Sequence, residues 1–490
     1  MILIRQPAER ISTNDTNMIT NDLTLSNARK LLDSKKLSAA ELADTYLQEI
    51  AKTDGNIHAY LEVFDDVRTQ AQEADKRIAA GESAPLLGIP VAMKDNMLIA
   101  GRRVSAASKI LEGYMGTYDA TVTTKLKAQG AVFLGRTNMD EFAMGSSTEK
   151  SAYGLTKNPL DTMRVPGGSS GGSAAAVVGN LALVALGSDT GGSIRQPAAF
   201  CGIVGLKPTY GAVSRHGLIA MGSSLDVIGP LAKSVSDAEI MFEAIRGQDV
   251  LDATTIPDDR TRVPQKDYYT IGVPRAFLAK GVDPDLLAEF EKGLDALRAQ
   301  GHTVVDIELP TISYSLATYY IIMPAEVSSN LARFDGVRYG LHVDGKDRTD
   351  DYRKTRGTGF GKEPRRRALL GAYVLSSGYY EAYYGKAMQA RDRIRHDVEK
   401  VFKTVDAIAT PTTPSPAFKI GEKTSDPLSM YLEDIFTVSA NIIGIPALSV
   451  PHGAVTRDGS VLPVGFQLMA PALGEATLFS LGKVLTGEAL

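Results

Sequence analysis

Three segments of this chain carry residue types that together could break an amide bond. Lys94 closes the apolar run Pro90–Met93, and two serine- and glycine-rich stretches follow at residues 167–173 and 187–195. Serine and lysine with no obvious histidine partner indicate acyl transfer in which an amine is the base. Glycines beside a serine leave backbone N–H groups uncovered, and such groups can hold an oxyanion. The pattern therefore favours chemistry through a serine ester.

Ser193 is the predicted nucleophile, at the end of the stretch Asp189-Thr190-Gly191-Gly192-Ser193. We predict that backbone N–H groups of this stretch form the oxyanion hole, since glycine tolerates the required dihedral angles and lets a substrate approach. The predicted donors are the N–H groups of Thr190, Gly191, Gly192 and Ser193. Taken alone, the stretch fits a tight turn equally well. The second serine-rich stretch and the strand-end lysine make the catalytic interpretation the favoured one.

Lys94 is the predicted base, and a base must be uncharged before it can accept a proton. The ordinary pKa of lysine is about 10.4, so the site must lower it, and burial is the simplest means. The apolar residues before Lys94 are consistent with burial, although a lysine at a strand end is by itself more often a solvated charge. Ser169 would lie between the two groups and pass the proton from Ser193 to Lys94.

These residues and their spacing resemble the amidase signature family, whose members use a Ser–Ser–Lys triad. Ser169 follows Lys94 by 75 residues and precedes Ser193 by 24, as in the family. The resemblance implies that Lys94 is the base, Ser193 the nucleophile, and Ser169 a relay preceded by a cis peptide bond. It also implies an α/β fold in which a large mixed β-sheet is covered by helices on both faces.

Three further segments, residues 138–149, 328–340 and 375–380, resemble the glutaminase subunits of tRNA-dependent amidotransferases. This resemblance implies that the chain hydrolyses glutamine and supplies ammonia within a heterotrimer that also contains the B and C subunits. Misacylated Glu-tRNA(Gln), with Asp-tRNA(Asn) as a second candidate, would be bound mainly by these partners. No cofactor is implied in this chain, and ATP and magnesium would be used by a partner. The alternative is a stand-alone amidase of the same family, acting on another carboxamide.

A glutamine substrate needs recognition of the two charges at its α-carbon. An arginine suits the carboxylate and a carboxylate suits the ammonium group. The resemblance places these groups at Arg367 and Asp434, with a tyrosine of the pair Tyr319 and Tyr320 nearby.

Three other chemistries compete with the lysine-based interpretation. The stretch Gly167–Gly171 also fits the nucleophile elbow of α/β-hydrolases, which requires a histidine base later in the chain. Five of the six histidines follow Ser169, and none has motif support. Glycine-rich turns can instead bind phosphate, but the Gly-Lys-Ser/Thr sequence of a Walker loop is absent. Cys201 could be a nucleophile, yet its apolar surroundings favour an inert core thiol.

Composition narrows the class of protein. The formal charge of −4 and the pI of 6.0 show that the chain as a whole lacks the excess of positive charge typical of nucleic-acid-binding proteins. The single cysteine rules out a disulfide within the chain, and a cytoplasmic setting is the simplest interpretation. The longest apolar stretch, residues 174–186, is too short to cross a bilayer.

Helical and strand patterns alternate through the first half of the chain and predict a mixed or largely parallel sheet. A buried strand over Leu87–Met93 would deliver Lys94 at its carboxyl end, where the catalytic groups of such sheets tend to lie. Residues 1–22 are predicted to be a flexible segment and 23–490 a single domain with a helical excursion around 310–404. A helix capped at Ser236 and a long helix over Ser376–Phe402 are also predicted.

Overall fold

The fold is built on one mixed β-sheet of 11 strands that draws from both halves of the chain. The computed structural model describes residues 23–279 and 281–489, so the predicted flexible segment 1–22 lies outside the described residues. In chain order the strands are β1 (Tyr60–Val63), β2 (Pro90–Lys94), β3 (Val132–Thr137), β4 (Val184–Asp189), β5 (Val204–Lys207), β6 (Val227–Ala232), β7 (Thr270–Val273), β8 (Thr303–Asp306), β9 (Ala407–Pro411), β10 (Ala447–Arg457) and β11 (Ser460–Met469). The predicted α/β class with a large mixed sheet is confirmed.

Helices connect most of these strands. In chain order they are α1 (Leu25–Asp33), α2 (Ala39–Ile57), α3 (Val67–Ala79), α4 (Thr121–Ala128), α5 (Gly171–Val178), α6 (Arg195–Cys201), α7 (Val235–Ile245), α8 (Arg275–Leu278), α9 (Pro284–Ala299), α10 (Ser315–Leu331), α11 (Arg348–Gly359), α12 (Lys362–Val374), α13 (Lys386–Val401), α14 (Pro427–Leu432), α15 (Val438–Ile443) and α16 (Glu475–Thr486). The long connection between β8 and β9 contains α10 to α13. None of the helices in the described ranges combines enough length and apolarity to cross a membrane.

The strand order explains where the catalytic candidates meet. Across the sheet the order is β1-β3-β2-β4-β6-β5-β10-β11-β9-β7-β8. Strand β2 runs parallel to both neighbours, and Met93 of β2 pairs in register with Leu186 of β4. Because parallel strands end at the same sheet edge, Lys94 lies beside the residues that end β4. The predicted strand is therefore present, but it begins at Pro90 instead of Leu87 and includes Lys94.

Two apolar cores hold this frame. The larger one packs the fully buried sheet residues, such as Leu186, Ile228 and Leu448, against the surrounding helices. A second core lies under the helical segment between β8 and β9 and joins Met323 and Tyr319 of α10 to Phe142. Through this second core, α10 and the loop after β3 become parts of one packed unit.

Two helix predictions were wrong in their boundaries. The helix predicted from Ser376 begins only at Lys386, because Gly378 has a positive φ of 84° and a π-helical turn covers Tyr380–Gly385. Helix α7 is capped by Ser234 rather than Ser236. The Ser236 hydroxyl instead donates to Glu488 near the C-terminus.

Candidate active site

Lys94 is the last residue of β2, and its side chain is completely buried. Burial removes the ammonium from water and lowers its pKa to about 7, although the carboxylates of Asp140, Asp189 and Asp226 act in the opposite direction. A lysine with an ordinary pKa of about 10.4 would be neutral in roughly one molecule in 2,500 at pH 7. With the lowered pKa, about half of the molecules carry a neutral amine at that pH.

The Lys94 amine lies among three serine hydroxyls. Its Nζ is 2.9 Å from Ser169 Oγ, 2.8 Å from Ser170 Oγ and 2.9 Å from Ser188 Oγ. A neutral amine has two N–H groups and one lone pair. If its N–H groups donate to Ser170 and Ser188, its lone pair can accept the proton of Ser169. The geometry therefore suits proton transfer from Ser169 to Lys94.

Ser169 lies in the turn that leads into α5. The peptide bond between Gly168 and Ser169 is cis, as the family resemblance implies. Gln196 of α6 ties this turn to its surroundings, since its Oε1 accepts from the Gly168 N–H at 2.8 Å and its Nε2 donates to the Ser146 carbonyl at 2.9 Å. One glutamine thus connects the Ser169 turn with the loop that follows β3.

Ser193 lies in the turn between β4 and α6, and 7% of its surface is exposed. The N–H of Ser170 donates to the Ser193 carbonyl at 3.1 Å, so the two serine-rich stretches are in direct contact. Within the described part of the chain, no hydrogen bond joins Ser169 Oγ to Ser193 Oγ. Catalytic hydrogen bonds are often long without substrate and tighten when it binds.

A buried ion pair shapes the Ser193 turn. Arg195 and Asp189 are both fully buried, and Arg195 Nη2 lies 3.0 Å from Asp189 Oδ1. Burial raises the pKa of Asp189, but the Arg195 charge outweighs that effect and lowers the pKa to about 2. The ionised carboxylate accepts from the N–H groups of Gly192 at 2.8 Å and Ile194 at 3.1 Å.

One of the four predicted oxyanion-hole donors already has an acceptor within the protein. The Gly192 N–H donates to Asp189 Oδ1 at 2.8 Å. Three of the four predicted donors, the N–H groups of Thr190, Gly191 and Ser193, have no such acceptor among the described residues. The Thr190 hydroxyl donates to Asp226 at 2.7 Å, and this contact fixes the start of the turn.

The substrate-binding candidates lie on the other side of the same turn. A Cβ added to Gly191 would come within 2.6 Å of Cζ of Tyr319, so the tyrosine ring packs directly on this glycine. The Thr437 hydroxyl donates to the Gly191 carbonyl at 2.6 Å and so links the turn to the segment that begins with Asp434. The turn is therefore braced by α10 and by the residues between α14 and α15.

Asp434 is buried and receives two hydroxyl hydrogen bonds. Ser146 donates to Oδ1 and Tyr320 to Oδ2, each at 2.9 Å. Burial raises the pKa of Asp434 to about 7, and the two hydrogen bonds only partly oppose that rise. Of the tyrosine pair, Tyr320 holds Asp434, whereas Tyr319 covers Gly191.

Arg367 lies on the buried face of α12, close to this carboxylate. Its Nε donates to Glu363 Oε1 at 2.8 Å, and its guanidinium lies 5.7 Å from the ring centre of Tyr320 and 5.6 Å from that of Tyr431. Tyr431 also donates to Glu363 at 3.0 Å. The predicted cation and anion for a glutamine backbone thus both lie near Tyr320, Arg367 by its ring and Asp434 by its hydroxyl.

Sequence reasoning missed several residues that hold these groups. The missed residues are Ser146, Ser188, Asp226, Glu363 and Tyr431. The Glu363–Arg367 spacing of four residues on a helix is a signal that could have paired them. The others act across long sequence separations and carry no local signal.

Two of the competing interpretations, a histidine base and a cysteine nucleophile, lack support in the described residues. No histidine in residues 23–279 and 281–489 forms a hydrogen bond with Ser169 or Ser193. Cys201 is fully buried, its thiol donates to the Pro166 carbonyl, and burial raises its pKa. A thiol that is buried and protonated is a poor nucleophile.

Comparison with known proteins identifies the family of this chain. The sequence matches the Amidase family over residues 41–479. It is 52% identical over 471 residues to the A subunit of glutamyl-tRNA(Gln) amidotransferase from Roseiflexus castenholzii, covering 94% of each chain. The protein of the same name from Thermosynechococcus vestitus is 51% identical over 458 residues, which cover 91% of this chain and 93% of that one.

Solved structures give the same result. The A subunit of glutamyl-tRNA(Gln) amidotransferase from Thermotoga maritima superposes with a TM-score of 0.77 at 42% identity, covering 95% of this chain and 94% of that chain. The peptide amidase from Stenotrophomonas maltophilia has a TM-score of 0.79 at 30% identity, with coverages of 95% and 96%. On these matches over nearly its whole length, the chain belongs to the amidase family.

Proposed function

We propose that this chain is the glutaminase subunit of a tRNA-dependent amidotransferase, and that it supplies ammonia for converting Glu-tRNA(Gln) to Gln-tRNA(Gln). The observation that carries the proposal is the 2.9 Å contact of the buried Lys94 amine with Ser169 Oγ. Relatives named as the A subunit of glutamyl-tRNA(Gln) amidotransferase, 50–52% identical over 94–95% of this chain, support the choice of substrate.

The first half of the reaction forms an ester on Ser193. Lys94 accepts the proton of Ser169 while Ser169 accepts the proton of Ser193, whose oxygen bonds to the side-chain carbonyl carbon of glutamine. The carbonyl electrons move onto oxygen, and the N–H groups of Thr190, Gly191 and Ser193 hold that oxyanion. Each such donor is worth about 3–4 kcal/mol of transition-state stabilisation.

Collapse of this intermediate releases ammonia. The carbon–nitrogen bond breaks, and the proton held by Lys94 returns through Ser169 to the departing nitrogen. Water then attacks the γ-glutamyl ester, its proton passes along the same two residues, and Ser193 leaves with a proton restored to its oxygen. The products are glutamate and ammonia, and the three side chains end as they began.

Arg367 and Asp434 orient glutamine in this scheme. Arg367 pairs with the α-carboxylate and Asp434 with the α-ammonium, while Tyr319 and Tyr320 fix the distance between this anchor and the Gly191 turn. Both anchoring groups are almost fully buried, at 4% and 7% exposure, so the ion pairs they form are only weakly screened by solvent.

The proposal includes the partners and the setting. The B subunit uses the ammonia and activates the tRNA-linked glutamate with ATP and magnesium, and the C subunit completes the heterotrimer. Residues 23–490 act as one catalytic domain. The complex operates in the cytoplasm, where its aminoacyl-tRNA substrate is made.

Ser193→Ala tests this function. In the assembled complex, glutamine-dependent amidation of Glu-tRNA(Gln) should fall by about 10⁴-fold or more, because the nucleophile is lost. Amidation driven by added ammonium chloride should remain, since that reaction bypasses Ser193. Retention of the glutamine-dependent rate would contradict the assignment.

A stand-alone amidase is the second candidate, and the similarity to a peptide amidase favours it. The buried Arg367 and Asp434 argue for a substrate with a free amino-acid backbone and against an apolar amide. The two functions separate in one comparison of the purified chain. A peptide amidase would hydrolyse C-terminally amidated peptides faster than glutamine, whereas the glutaminase would show the reverse order.

A further inference from the structure

Helix α12 presents a continuous outer face to solvent. Its inner face carries the buried residues Glu363, Arg367 and Gly371, of which Arg367 and Gly371 contact α10. The residues of the outer face follow helical spacing, and all of them are exposed: Lys362, Arg365, Arg366, Leu369, Leu370 and Tyr373. The face spans about 16 Å along the helix axis. Leu369 is 73% exposed and Leu370 42%, so two leucines lie at its centre.

Tyrosine rings extend this face beyond the end of α12. Tyr373, Tyr379 and Tyr383 are 41–46% exposed and contact one another, with ring centres 4.5–6.1 Å apart. Tyr379 belongs to the segment 375–380 that the sequence singled out, and neither it nor its neighbours contacts the catalytic residues. We call the leucines and these three tyrosines the outer patch. Apolar and tyrosine surface clustered in this way is typical of protein interfaces.

Cations border one end of the outer patch. Arg366 is paired with Glu363 on its own helix. Lys362 and Arg365 form no ion pair with a carboxylate of residues 23–279 or 281–489. The chain as a whole is negatively charged, at −4, so this end is a local excess of positive charge. A surface complementary to it has an apolar centre and carboxylates along one edge.

We infer that the outer patch is the docking surface for a partner subunit of the proposed amidotransferase, one that presents apolar side chains bordered by Asp or Glu. This inference rests on the proposed function. A protein fits the patch better than RNA does, because leucines offer a base neither a ring to stack on nor a hydrogen bond. The three tyrosine rings also pack on one another and are not separated in the way a stacking platform requires.

The location gives the docking surface a functional meaning. Arg367, the proposed ligand of the glutamine carboxylate, lies on the opposite side of the same helix. A partner bound to the outer patch therefore sits about one helix diameter, roughly 10 Å, from the substrate site. Burial of the outer face holds α12, and with it Arg367, in place.

The test compares two leucines of similar exposure. Leu369→Asp places a carboxylate in the outer patch, and Leu251→Asp does the same at a remote leucine that is 65% exposed. Each variant of the full chain is titrated against the coexpressed partner subunits, with binding followed by biolayer interferometry. We expect Leu369→Asp to raise Kd at least tenfold and Leu251→Asp to change it less than twofold. Tyr379→Ser is the second variant if Leu369→Asp lowers the melting temperature.

Each remaining outcome has a defined meaning. Equal Kd values for Leu369→Asp and the wild type would overturn the docking surface. So would intact assembly combined with weaker binding of tRNA to the complex, a result that would assign the patch to nucleic acid. Failure of the wild-type chain to assemble or to use glutamine for amidation would instead overturn the proposed function. An active wild-type complex with an unaffected Leu369→Asp variant would leave that function standing.

Discussion

At the scale of single residues, Lys94 and Asp434 both have a pKa near 7 and both must be deprotonated in the proposed reaction. Lys94 accepts a proton only as the neutral amine, and Asp434 binds the substrate ammonium only as the carboxylate. Lowering the pH protonates both groups, so their effects on the free enzyme add. We expect the logarithm of kcat/KM for glutamine to rise with pH and level off above about 8, with a slope approaching about two on the acid side.

The two groups separate when kcat is measured alone. Bound glutamine pairs with Asp434 and keeps it ionised, so the pH dependence of kcat should report Lys94 with a slope of about one. Initial rates of glutamate release between about pH 5.5 and 9 give both profiles. A kcat/KM that is independent of pH over this range would contradict the role of the buried amine.

Ser146 supports Asp434, and its removal should change binding without changing the chemical step. Ser146→Ala deletes one donor to the carboxylate, which favours the protonated form and raises the pKa of Asp434 further. We expect KM for glutamine at pH 7 to rise about tenfold while kcat stays within twofold, since a hydrogen bond to a charged group is worth about 1.5–3 kcal/mol.

The matched control is Ser147→Ala, because this neighbouring serine is also buried and makes no hydrogen bond with Asp434. Its KM should remain close to that of the wild type. A smaller KM effect of Ser146→Ala at about pH 8.5 than at about pH 6.5 would separate a titration effect from a general loss of structure.

At the scale of elements, the turn between β4 and α6 depends on the absence of a side chain at Gly191. Gly191→Ala would place a methyl group 2.6 Å from Tyr319 Cζ, so either the tyrosine ring or this turn must move. Misplacement of a reacting group by about 1 Å can cost about 100-fold in rate. We expect a loss of that order in kcat/KM, measured as glutamate release.

The control for that variant is Gly55→Ala in α2. Beyond the backbone of its own helix and its chain neighbours, no heavy atom lies within 4 Å of the Cβ position at Gly55, so the methyl group enters open space. Alanine in a helix should raise the free energy of unfolding by about 0.4–1 kcal/mol, with no effect on activity. A Gly191→Ala enzyme as active as Gly55→Ala would contradict the close packing of Tyr319 on the turn.

Local sequence patterns predicted some elements of the structure correctly, but they could not predict features that depend on distant residues. Lys94 was placed correctly at the carboxyl end of a buried strand, because an apolar strand followed by a polar residue is a local pattern. The contact of the Gly192 N–H with Asp189 could not be predicted, because Asp189 is oriented by Arg195, which is in turn held by Asn441 and Gln467 from distant parts of the chain. The helix predicted from Ser376 failed at Gly378, whose positive φ no hydrophobic periodicity reveals.

At the scale of the whole molecule, the Arg195–Asp189 pair joins the first residue of α6 to the last residue of β4, across the turn that carries Ser193. Arg195→Met removes one partner and leaves a fully buried carboxylate without its counter-charge, which should cost about 3–5 kcal/mol of unfolding free energy. Urea unfolding at pH 7 measures this loss.

The comparison variant is Lys76→Met, which breaks the exposed pair with Glu73. Pairs of that kind contribute about 0–1 kcal/mol, so the midpoint of unfolding should hardly move. Equal losses of unfolding free energy for the two substitutions would mean that the buried Arg195–Asp189 pair does not stabilise the fold more than an exposed pair does.

The contacts of Arg195 with Thr437 and Gln467 also bear on synthesis of the chain. Arg195 Nη1 donates to the Thr437 carbonyl at 2.9 Å and to the Gln467 side chain at 2.7 Å, across sequence separations of 242 and 272 residues. The three side chains of the proposed reaction, those of Lys94, Ser169 and Ser193, have been made once translation passes residue 193. At about 5–20 residues per second, the distant acceptors of Arg195 follow only about 10–50 s later. A nascent or truncated polypeptide therefore contains the proposed nucleophile and its proton relay without the contacts that position Arg195, and we expect it to consume no glutamine.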